Sequence, residues 1–518
     1  MLIVSGALMK RYLLAHDLGT SGNKATLFTV DGELVAAKTS PYDTAYSNDN
    51  WAEQSPDDWW KAVCLSSREL LETVDAGEIA AVALSGQMMG CLCVDRRGRP
   101  LRPSIIYCDQ RAEEQTAGML ENIDPGEFYR ITGHRPSPSY SIEKLAWLKQ
   151  HEPAVYADTH KMLNAKDFIN FKLTGQMATD PSEASGTNAF DLNIFAWSDR
   201  IVEALGVDGE KLPELKKSTD VLGTITSEAA DQTGIKEGTP VIVGGGDGVC
   251  AGVGVGCVKP GIAYNYVGSS SWIALTVEKP VRDERMRTMS WAHAVPGYLQ
   301  PSGTMQTAGA AYNWAKNELC ATEIQEAQQQ GVSPYQLIDA LIEAVAPGSG
   351  GLLFLPYLLG ERSPRWNPKA KGAFIGLNLS NTRTEMLRAV LEGITYNLEI
   401  ILAIFRREID IESMIVVGGG AKGAVWRQMM ADIYNIEVRK PKYLEEATSM
   451  GAAVIAGIGA GVFEGFDVID RFVEIEAVHN PIEENRQKYL PMMAVFDECY
   501  HALGGIYDRL AEIKGPSA

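Results

Sequence analysis

Two aspartates stand where apolar strand patterns give way to turns of small residues. Asp17 closes the run that begins at Tyr12 and lies just before the turn Gly19-Thr20-Ser21, and Asp247 follows Val241-Ile-Val and three glycines. Ligands of open α/β sheets bind where strands end, and a carboxylate buried there without a partner costs free energy. Two acids suit phosphoryl transfer, in which one helps to hold hydrated Mg²⁺ and the other accepts the proton of the nucleophile. For either aspartate alone, a cap on backbone amides is the simpler interpretation.

A second turn of small residues, Gly268-Ser269-Ser270, repeats the setting of the first turn. Glycine and serine between short strands let several backbone N–H groups point into one concavity, which suits a phosphate. Each turn alone is more simply a tight hairpin, but their repetition in matched settings favours two grips on one triphosphate. No Walker loop of the GxxxxGK[ST] type occurs, and Gly252-Val-Gly254-Val-Gly256 does not complete the dinucleotide motif GxGxxG before a helix.

The elements that position these residues begin with three short strands. The runs Tyr12 to Asp17, Lys24 to Val30 and Glu33 to Ala37 predict an antiparallel meander, with Asp31-Gly32 as a hairpin turn. Ser55-Pro56-Asp57-Asp58 then predicts the start of a helix that runs to about Val74, and Ile79 to Leu84 is a buried strand.

A similar arrangement recurs later in the chain. Ile262 to Val267 and Trp272 to Val277 predict a hairpin around the second turn, and Thr382 with Glu385 forms a capping box before a helix that ends near Phe405. Val241 to Asp247 and Ile415 to Ala421 are each a strand that ends in glycines, and we interpret them as equivalent. The repetition indicates an α/β protein of two related lobes around a central cleft, divided near Gly256 into domains 9–256 and 257–518.

Composition limits the partners that the chain can have. A length of 518 residues exceeds what one core usually supports, and a net charge of −19 argues against binding to nucleic acid or to an anionic membrane. A small substrate fits better. The eight cysteines form no CxxC pair, which is typical of buried thiols in a reducing compartment, and the first residues are apolar before they are basic, the reverse of a secretory signal. We expect a cytoplasmic protein whose first strand follows Met9, and leave a homodimer open.

Two long motifs resemble the signatures of the FGGY carbohydrate kinases, within the actin, Hsp70 and hexokinase superfamily. Ser139-Tyr-Ser-Ile-Glu-Lys144-Leu-Ala-Trp147-Leu-Lys-Gln-His151 is similar to the first signature, and Gly372-Ala-Phe-Ile-Gly376-Leu377 with Glu385 to Glu392 is similar to the second. Within that family the chain looks most like the xylulose kinases, through segments such as Gly86-Gln87-Met88 and Leu355-Pro-Tyr-Leu-Leu-Gly-Glu361-Arg362. The resemblance implies two ribonuclease H-like lobes and ATP-dependent phosphorylation of a sugar.

By this resemblance the candidate residues receive roles. Asp247 would be the catalytic base and Asp17 the acid on the Mg²⁺ side, with both near the metal. Gly19, Thr20, Ser21, Gly268, Ser269 and Ser270 would bind the phosphates of ATP, and Gly419, Gly420 and Ala421 would border the adenosine. The sugar pocket would be formed by Gln87, Met88, Met89, Trp51 and Asp109.

Three residues depart from the xylulose kinase pattern. Met89 stands where those enzymes usually have His, and a thioether cannot replace a ring N–H that donates to a sugar hydroxyl. His16 replaces an aliphatic residue, and strand alternation predicts that it faces away from the cleft. Gly248 follows the predicted base in place of the commoner Asn.

Ketopentose phosphorylation by MgATP, with D-xylulose as the expected sugar, is the leading hypothesis. A kinase for another pentulose, a tetritol or glycerol is the alternative within the same chemistry. A nucleotide-gated protein of the same superfamily, or a sugar-responsive regulator without turnover, is the alternative of another class. The two signatures oppose the former, and the presence of Asp17 and Asp247 opposes the latter.

Overall fold

The computed structural model describes residues 11–48 and 50–514, so Met9 and Lys10 of the predicted first domain, and residues 515–518, lie outside the described residues. The strands before Gly256 are β1 Tyr12–Leu18, β2 Gly22–Thr29, β3 Leu34–Pro41, β4 Ala45–Ser47, β5 Trp51–Gln54, β6 Ile79–Gly86, β7 Leu92–Val94, β8 Ser104–Ile105, β9 Lys161–Leu163, β10 Ala178–Thr179, β11 Phe190–Asp191, β12 Ala196–Trp197, β13 Glu214–Leu215, β14 Val221–Thr224 and β15 Pro240–Gly246. The later strands are β16 Ile262–Val267, β17 Ser271–Leu275, β18 Met289–Ala292, β19 Leu299–Met305, β20 Leu353–Leu355, β21 Ala373–Ile375, β22 Ser413–Val417, β23 Glu437–Pro441 and β24 Ile475–His479.

The helices alternate with these strands in both parts of the chain. They are α1 Pro56–Leu71, α2 Glu113–Met119, α3 Pro125–Thr132, α4 Ser141–His151, α5 Pro153–Asp158, α6 Ala165–Thr174, α7 Pro181–Ser185, α8 Asp199–Leu205, α9 Ser227–Thr233, α10 Asp247–Gly254, α11 Gly309–Leu319, α12 Ala321–Gln330, α13 Pro334–Glu343, α14 Arg383–Phe405, α15 Ala424–Tyr434, α16 Ala447–Gly459, α17 Ile469–Phe472, α18 Glu483–Ala502 and α19 Gly504–Lys514. Within the described ranges, none of them combines the length and the apolarity that crossing a membrane requires.

Local sequence signals place the first elements where they were predicted. β1, β2 and β3 form the antiparallel meander, with Asp17 opposite Lys24 in the register. The hydroxyl of Ser55 accepts a hydrogen bond from the amide of Asp58 and caps α1, and Thr382 with Glu385 forms the capping box of α14. His16 is buried against Asn23 and the α1 residue Ser67, away from the cleft.

Two sheets repeat one plan, which confirms the internal duplication. The order β3-β2-β1-β6-β15 in the first half corresponds to β19-β17-β16-β22-β23 in the second half, and in each the last two strands run parallel to the first strand of the meander. The equivalence of the two glycine-ended strands was wrong, however. Counted along this shared five-strand order, β15 is the fifth strand and β22 is the fourth. β22 therefore corresponds to β6, which ends at Gly86.

Helices α10 and α16 follow the fifth strands of the two sheets and pack directly against each other. A Cβ added to Gly254 would lie 1.8 Å from the carbonyl oxygen of Ala447, and one added to Gly451 would lie 1.9 Å from that of Cys250. The two backbones therefore touch with no side chain between them. Helix α16 also packs on β1, β6 and β15, so that a core of the first half includes Met450, Val454 and Phe472 from the second half.

We predict that Gly451→Ala destabilises the protein by about 1–3 kcal/mol or more, because a methyl group cannot enter this contact unless the helices separate. Gly118→Ala is the matched control, since Gly118 lies inside helix α2 and an added Cβ would meet no atom within 4 Å. The control is expected to leave stability unchanged or raise it slightly. Thermal and urea unfolding of the two variants measure the difference, and equal stabilities would contradict the packing described here.

Candidate active site

The strand that carries Asp247 is shaped by its glycines. Gly244 has a φ of 79°, and an added Cβ would lie 2.0 Å from the carbonyl oxygen of Leu84; the pairing of β15 with β6 shifts register across this point. Only glycine accepts such a conformation at so close an approach. After this irregularity β15 pairs with β6 again at Gly245 and Gly246, and Asp247 follows as the first residue of α10. The amide of Gly246 donates to the hydroxyl of Ser182 at 2.9 Å.

Asp247 is a half-buried acid whose pKa is raised to about 7. Burial is the main cause, the negative charge of Asp17 adds to it, and the hydrogen bond from the amide of Gly248 at 2.6 Å opposes it. A carboxylate whose pKa lies near neutrality is matched to accepting a proton at physiological pH. Burial likewise raises the pKa of Asp17 to about 6, against the hydrogen bond from Ser85 at 3.2 Å and the charge of Lys24.

The first turn offers two backbone donors without acceptors. The amide of Gly19 donates across the turn to the carbonyl of Gly22 at 3.0 Å, while Tyr42 and Gln54 donate to the carbonyls of Gly19 and Thr20. The amides of Thr20 and Ser21 have no hydrogen-bond acceptor within the described part of the chain. With its carbonyls held from outside, the turn presents N–H groups, the arrangement that binds an anion.

The second turn has the same arrangement. The amide of Gly268 donates across the turn to the carbonyl of Ser270 at 2.9 Å, and the amides of residues 308–310 at the start of α11 bind the carbonyls of Gly268 and Ser269. The amides of Ser269 and Ser270 find no acceptor in residues 11–48 or 50–514. In both predicted phosphate turns, therefore, the carbonyls accept hydrogen bonds from neighbouring groups, and two backbone amides have no acceptor in the described chain.

A cavity of about 620 Å³ opens beside the second turn. Gly268, Ser269, Gly419 and Gly420 line it, whereas Ala421 is fully buried beneath it. Its other walls come from residues that sequence reasoning did not select: Gly309, Ala310, Tyr312, Asn313, Ser333, Tyr335, Gln336, Asp339, Lys422, Gly423 and Trp426. Most of these belong to α11 and α13, which local patterns do not connect with the glycine run. The size and the mixed aromatic and polar lining suit a nucleoside.

Of the predicted sugar residues, the segment after β6 lies closest to Asp247 in the structure. A Cβ on Gly246 would lie 2.6 Å from the sulfur of Met88, so this methionine packs against the residue that precedes Asp247. Gln87 is buried, donates through its side-chain amide nitrogen to Gln54 at 2.7 Å, and its side-chain amide oxygen has no partner among the described residues. Met89 has a φ of 67°, a left-handed conformation that is costly for its side chain, and its carbonyl accepts from the ammonium of Lys144 at 2.8 Å.

Trp51 and Asp109 are engaged by protein groups. The guanidinium of Arg111 lies 3.9 Å from the ring centroid of Trp51, and the Trp147 ring packs edge-on at 5.3 Å. Asp109 is fully buried, accepts from the amide of Ala52 at 2.6 Å and pairs with Arg111 at 2.7 Å. These contacts position β5 against the loop after β8, and a sugar-binding role for either residue stays a prediction.

A buried polar network that sequence reasoning missed supports Asp247 from behind. Lys166 on α6 contacts Asp180 at 3.2 Å, and Asp180 in turn accepts from the hydroxyl of Ser182, the residue that holds Gly246. The neighbouring Glu183 is fully buried and neither of its carboxyl oxygens has a hydrogen-bond partner within the described residues. Burial raises the pKa of Glu183 well above its ordinary value, and the charge of Asp247 is among the further causes. The surroundings of Glu183 therefore disfavour a further negative charge behind the site.

The donor set fits Mg²⁺ that is held partly by its substrate. No group of three or more His, Cys, Asp or Glu residues arranged for a metal occurs within the described residues. Mg²⁺ keeps several waters and is commonly bound through one or two carboxylates and the phosphates of a nucleotide. Asp17 and Asp247 supply two carboxylates near enough for their charges to interact.

Comparison with known proteins identifies the family. The model of the FGGY family of carbohydrate kinases matches through its N-terminal domain at residues 12–254 and through its C-terminal domain at residues 263–460. The chain belongs to the FGGY family of carbohydrate kinases. It is 30% identical to a gluconokinase of Bacillus subtilis (strain 168) over 98% of this chain and 99% of that protein. It is 31% identical to a xylulose kinase of the same organism over 95% of this chain and 97% of that protein.

The fold is also similar to that of a solved xylulose kinase. A solved structure of ligand-bound xylulose kinase from Lactobacillus acidophilus superposes with a TM-score of 0.89 at 27% identity, over 96% of this chain and all of that one. This FGGY protein is therefore an ATP-dependent sugar kinase with the two-domain α/β fold of the actin and hexokinase type, which confirms the resemblance in its motifs. Its substrates are a small sugar molecule and ATP.

The raised pKa of Asp247 predicts a pH-dependent cost to stability. An acid whose pKa is higher in the folded chain than in the unfolded chain destabilises the fold increasingly as pH rises from about 4, the unfolded value, to about 7. We expect Asp247→Asn to raise the free energy of unfolding by about 1 kcal/mol or more at pH 8 and by less at pH 5.5. Asp43→Asn is the control, because Asp43 is exposed and has no side-chain hydrogen bond in the described chain. Urea titrations at both pH values test this, and a gain that is the same at both would contradict it.

Proposed function

We propose that the chain transfers the γ-phosphoryl group of ATP to a terminal primary hydroxyl of an open-chain sugar, with Asp247 as the general base. The observation that carries the proposal is the position of Asp247, which opens α10 directly after the residue that Met88 contacts, is near enough to Asp17 to be affected by its charge, and has a pKa of about 7. A group so placed can accept a proton without being permanently protonated at neutral pH.

In the proposed reaction the sugar hydroxyl oxygen attacks the γ-phosphorus in line while its proton passes to Asp247, and ADP leaves. The free amides of Thr20 and Ser21 and those of Ser269 and Ser270 bind phosphate oxygens from the two halves. The cavity beside Gly419 and Gly420 takes the nucleoside, with Ala421 supporting the turn from beneath. Asp17 would hold Mg²⁺, with Asp247 beside it, and the metal would neutralise phosphate charge when bound. The backbone dipoles of the two turns thus help to stabilise the negative charge on the transferred phosphoryl group.

Two sugars are candidates. D-Xylulose follows from the motifs and from relatives named xylulose kinase, and the segment after β6 would bind it through Gln87, Met88 and Met89. D-Gluconate follows from relatives named gluconokinase, which are equally similar and which the motifs did not suggest. Met89 favours the second candidate, since the position lacks the ring N–H of the xylulose kinase pattern. Trp51 and Asp109 would support this pocket through Arg111.

Three broader assignments rest on the sequence. We propose a division of the chain into domains 9–256 and 257–518. We also propose a cytoplasmic location, as the eight free cysteines suggest. Recognition of small molecules rather than nucleic acid or membrane follows from the net charge of −19.

Asp247→Asn is expected to lower kcat by about 10²- to 10⁴-fold, because the amide keeps the shape of the side chain but cannot accept a proton. Affinity for MgATP should stay within a few-fold, since the phosphate-binding amides are unchanged. Asp17→Asn serves as the comparison and should instead raise the Mg²⁺ concentration needed for half-maximal rate. The measurements are kcat for each sugar and nucleotide affinity by calorimetry. Near-normal turnover by folded Asp247→Asn would remove the base from this position.

Met89→His is expected to raise the ratio of kcat/KM for D-xylulose to that for D-gluconate by about fivefold, the effect of one gained hydrogen bond. Met286→His is the matched control, because Met286 also has a left-handed backbone conformation, with a φ of 51°, but lies outside the predicted pocket. Both ratios come from steady-state kinetics with ATP saturating. If the two variants leave the ratio equally unchanged, position 89 does not contact the sugar.

A further inference from the structure

A cavity in the second half collects arginines in a chain that is otherwise strongly acidic. It has a volume of about 590 Å³, lies along α14 and α18, and is lined by Arg135, Arg285, Arg287, Arg365 and Arg407. We call it the arginine cavity. No lysine lines it, although the chain as a whole carries a net charge of −19. A concentration of guanidinium groups against this background calls for a physical reason.

The acids around the arginine cavity neutralise only some of its arginines. Arg287 forms a two-pronged ion pair with Asp283, at 2.8 and 2.6 Å, and Arg365 pairs with Asp497 at 2.6 Å. Glu399 is bound by Arg406 at 2.7 Å, and His501 faces Asp497 at 3.8 Å. Asp497 and one oxygen of Glu399 therefore already have cationic partners, whereas the buried Oε2 of Glu399 has no hydrogen-bond partner among the described residues.

Three of the arginines form no ion pair with an acid among the described residues. Arg285 and Arg407 are exposed and form no hydrogen bond or ion pair through their side chains with any described residue. Arg135 is half-buried, and its guanidinium lies above the ring of Trp366 at 5.2 Å from the ring centroid. Burial lowers the pKa of Arg135 from its ordinary value, as expected for a cation that lacks a counter-ion.

A buried donor inside the arginine cavity also lacks an acceptor. The side chain of Arg365 is only 6% exposed, is stacked on Tyr500 at 4.1 Å, and donates through Nη1 to Asp497. Its Nη2 atom is buried and has no hydrogen-bond partner among the described residues. A buried donor on a charged group costs free energy unless an acceptor reaches it, so this nitrogen points to a ligand with oxygen acceptors.

We propose that the arginine cavity binds a small phosphorylated anion. Planar guanidinium groups match phosphate oxygens with paired hydrogen bonds, and several unpaired cations around one space favour a ligand of charge −2 or more. A volume of about 590 Å³ lies within the usual range of small-molecule sites. This site is separate from the nucleotide cavity beside Gly268 and Gly419, with which it shares no lining residue.

The bound anion would join the two halves of the chain. Arg135 follows α3 in the first half, whereas the other four arginines belong to the second half. The neighbouring His134 packs on Trp291 of β18 at 4.4 Å, and a Cβ on Gly186 would lie within 3.4 Å of both Trp291 and Met88. The arginine cavity is therefore connected by direct packing to the sugar side of the active site.

Pyrophosphate is the probe that tests the proposal. It is titrated by calorimetry, without Mg²⁺, into protein saturated with a non-hydrolysable ATP analogue, so that both phosphate turns are already filled. Binding at one site is expected, and Arg285→Ala/Arg407→Ala should weaken it at least tenfold. Arg96→Ala/Arg97→Ala is the matched control, because it removes the same charge from two exposed arginines of the first half whose side chains form no hydrogen bond in the described chain. The control should bind as the parent does.

Three results would overturn the proposal: no heat beyond dilution in the parent, equal affinity in the two double variants, or citrate binding as tightly as pyrophosphate. Arg135→Ala provides an independent variant that loses only a stacking contact and should weaken pyrophosphate binding several-fold. None of these measurements uses turnover, so their outcome stands apart from the test of Asp247 as the base.

Discussion

The close contact between α10 and α16 is the constraint on which the site depends. Asp247 opens α10, and Glu446, immediately before α16, pairs with Lys24, the residue opposite Asp17 on β2. Because the two helix backbones touch at Gly254 and Gly451, the separation of the helices is fixed by main-chain atoms and not by adjustable side chains. The distance between the acid of one sheet and the turns of both sheets is set at this contact, so small residues far from the chemistry determine the geometry of the chemistry.

The charges of the site are arranged at a cost to stability. Burial raises the pKa of both Asp17 and Asp247, and no residue that the structure describes places a cation in direct contact with either acid. The network behind Asp247 supplies the cation Lys166 but contains more carboxyl groups than positive charges, and burial raises the pKa of Glu183 well above its ordinary value. The two turns stabilise negative ligands through backbone amides, which are dipoles without a net charge. A site built in this way is preorganised for phosphates and metal rather than for its own stability.

Sequence reasoning succeeded where the signal was local. The meander, the capped helices α1 and α14 and the two turns each carry their own pattern of apolar alternation, capping or small residues. It failed where the order of strands in the sheet decides, since two runs of similar sequence, Val241 to Asp247 and Ile415 to Ala421, occupy different positions in their sheets. Tyr335 and Gln336 lie on a helix that approaches the nucleotide cavity only in three dimensions. The spacing of Asp109 and Arg111, which only Gln110 separates, did offer a missed signal, because such spacing allows the ion pair that occupies Asp109.

Because α16 shares a core with the first sheet, the chain cannot be cut between its two halves without loss of packing in both. Met450, Val454 and Phe472 pack among residues of β1, β6 and α10, so a cut between the two family regions would expose apolar surface on both fragments. Each fragment would lack part of its own interior, and its solubility would depend on meeting the other. The two halves of an internal duplication have in this way become a single folding unit, in which co-expressed fragments would reassemble by complementation and a fragment expressed alone would aggregate.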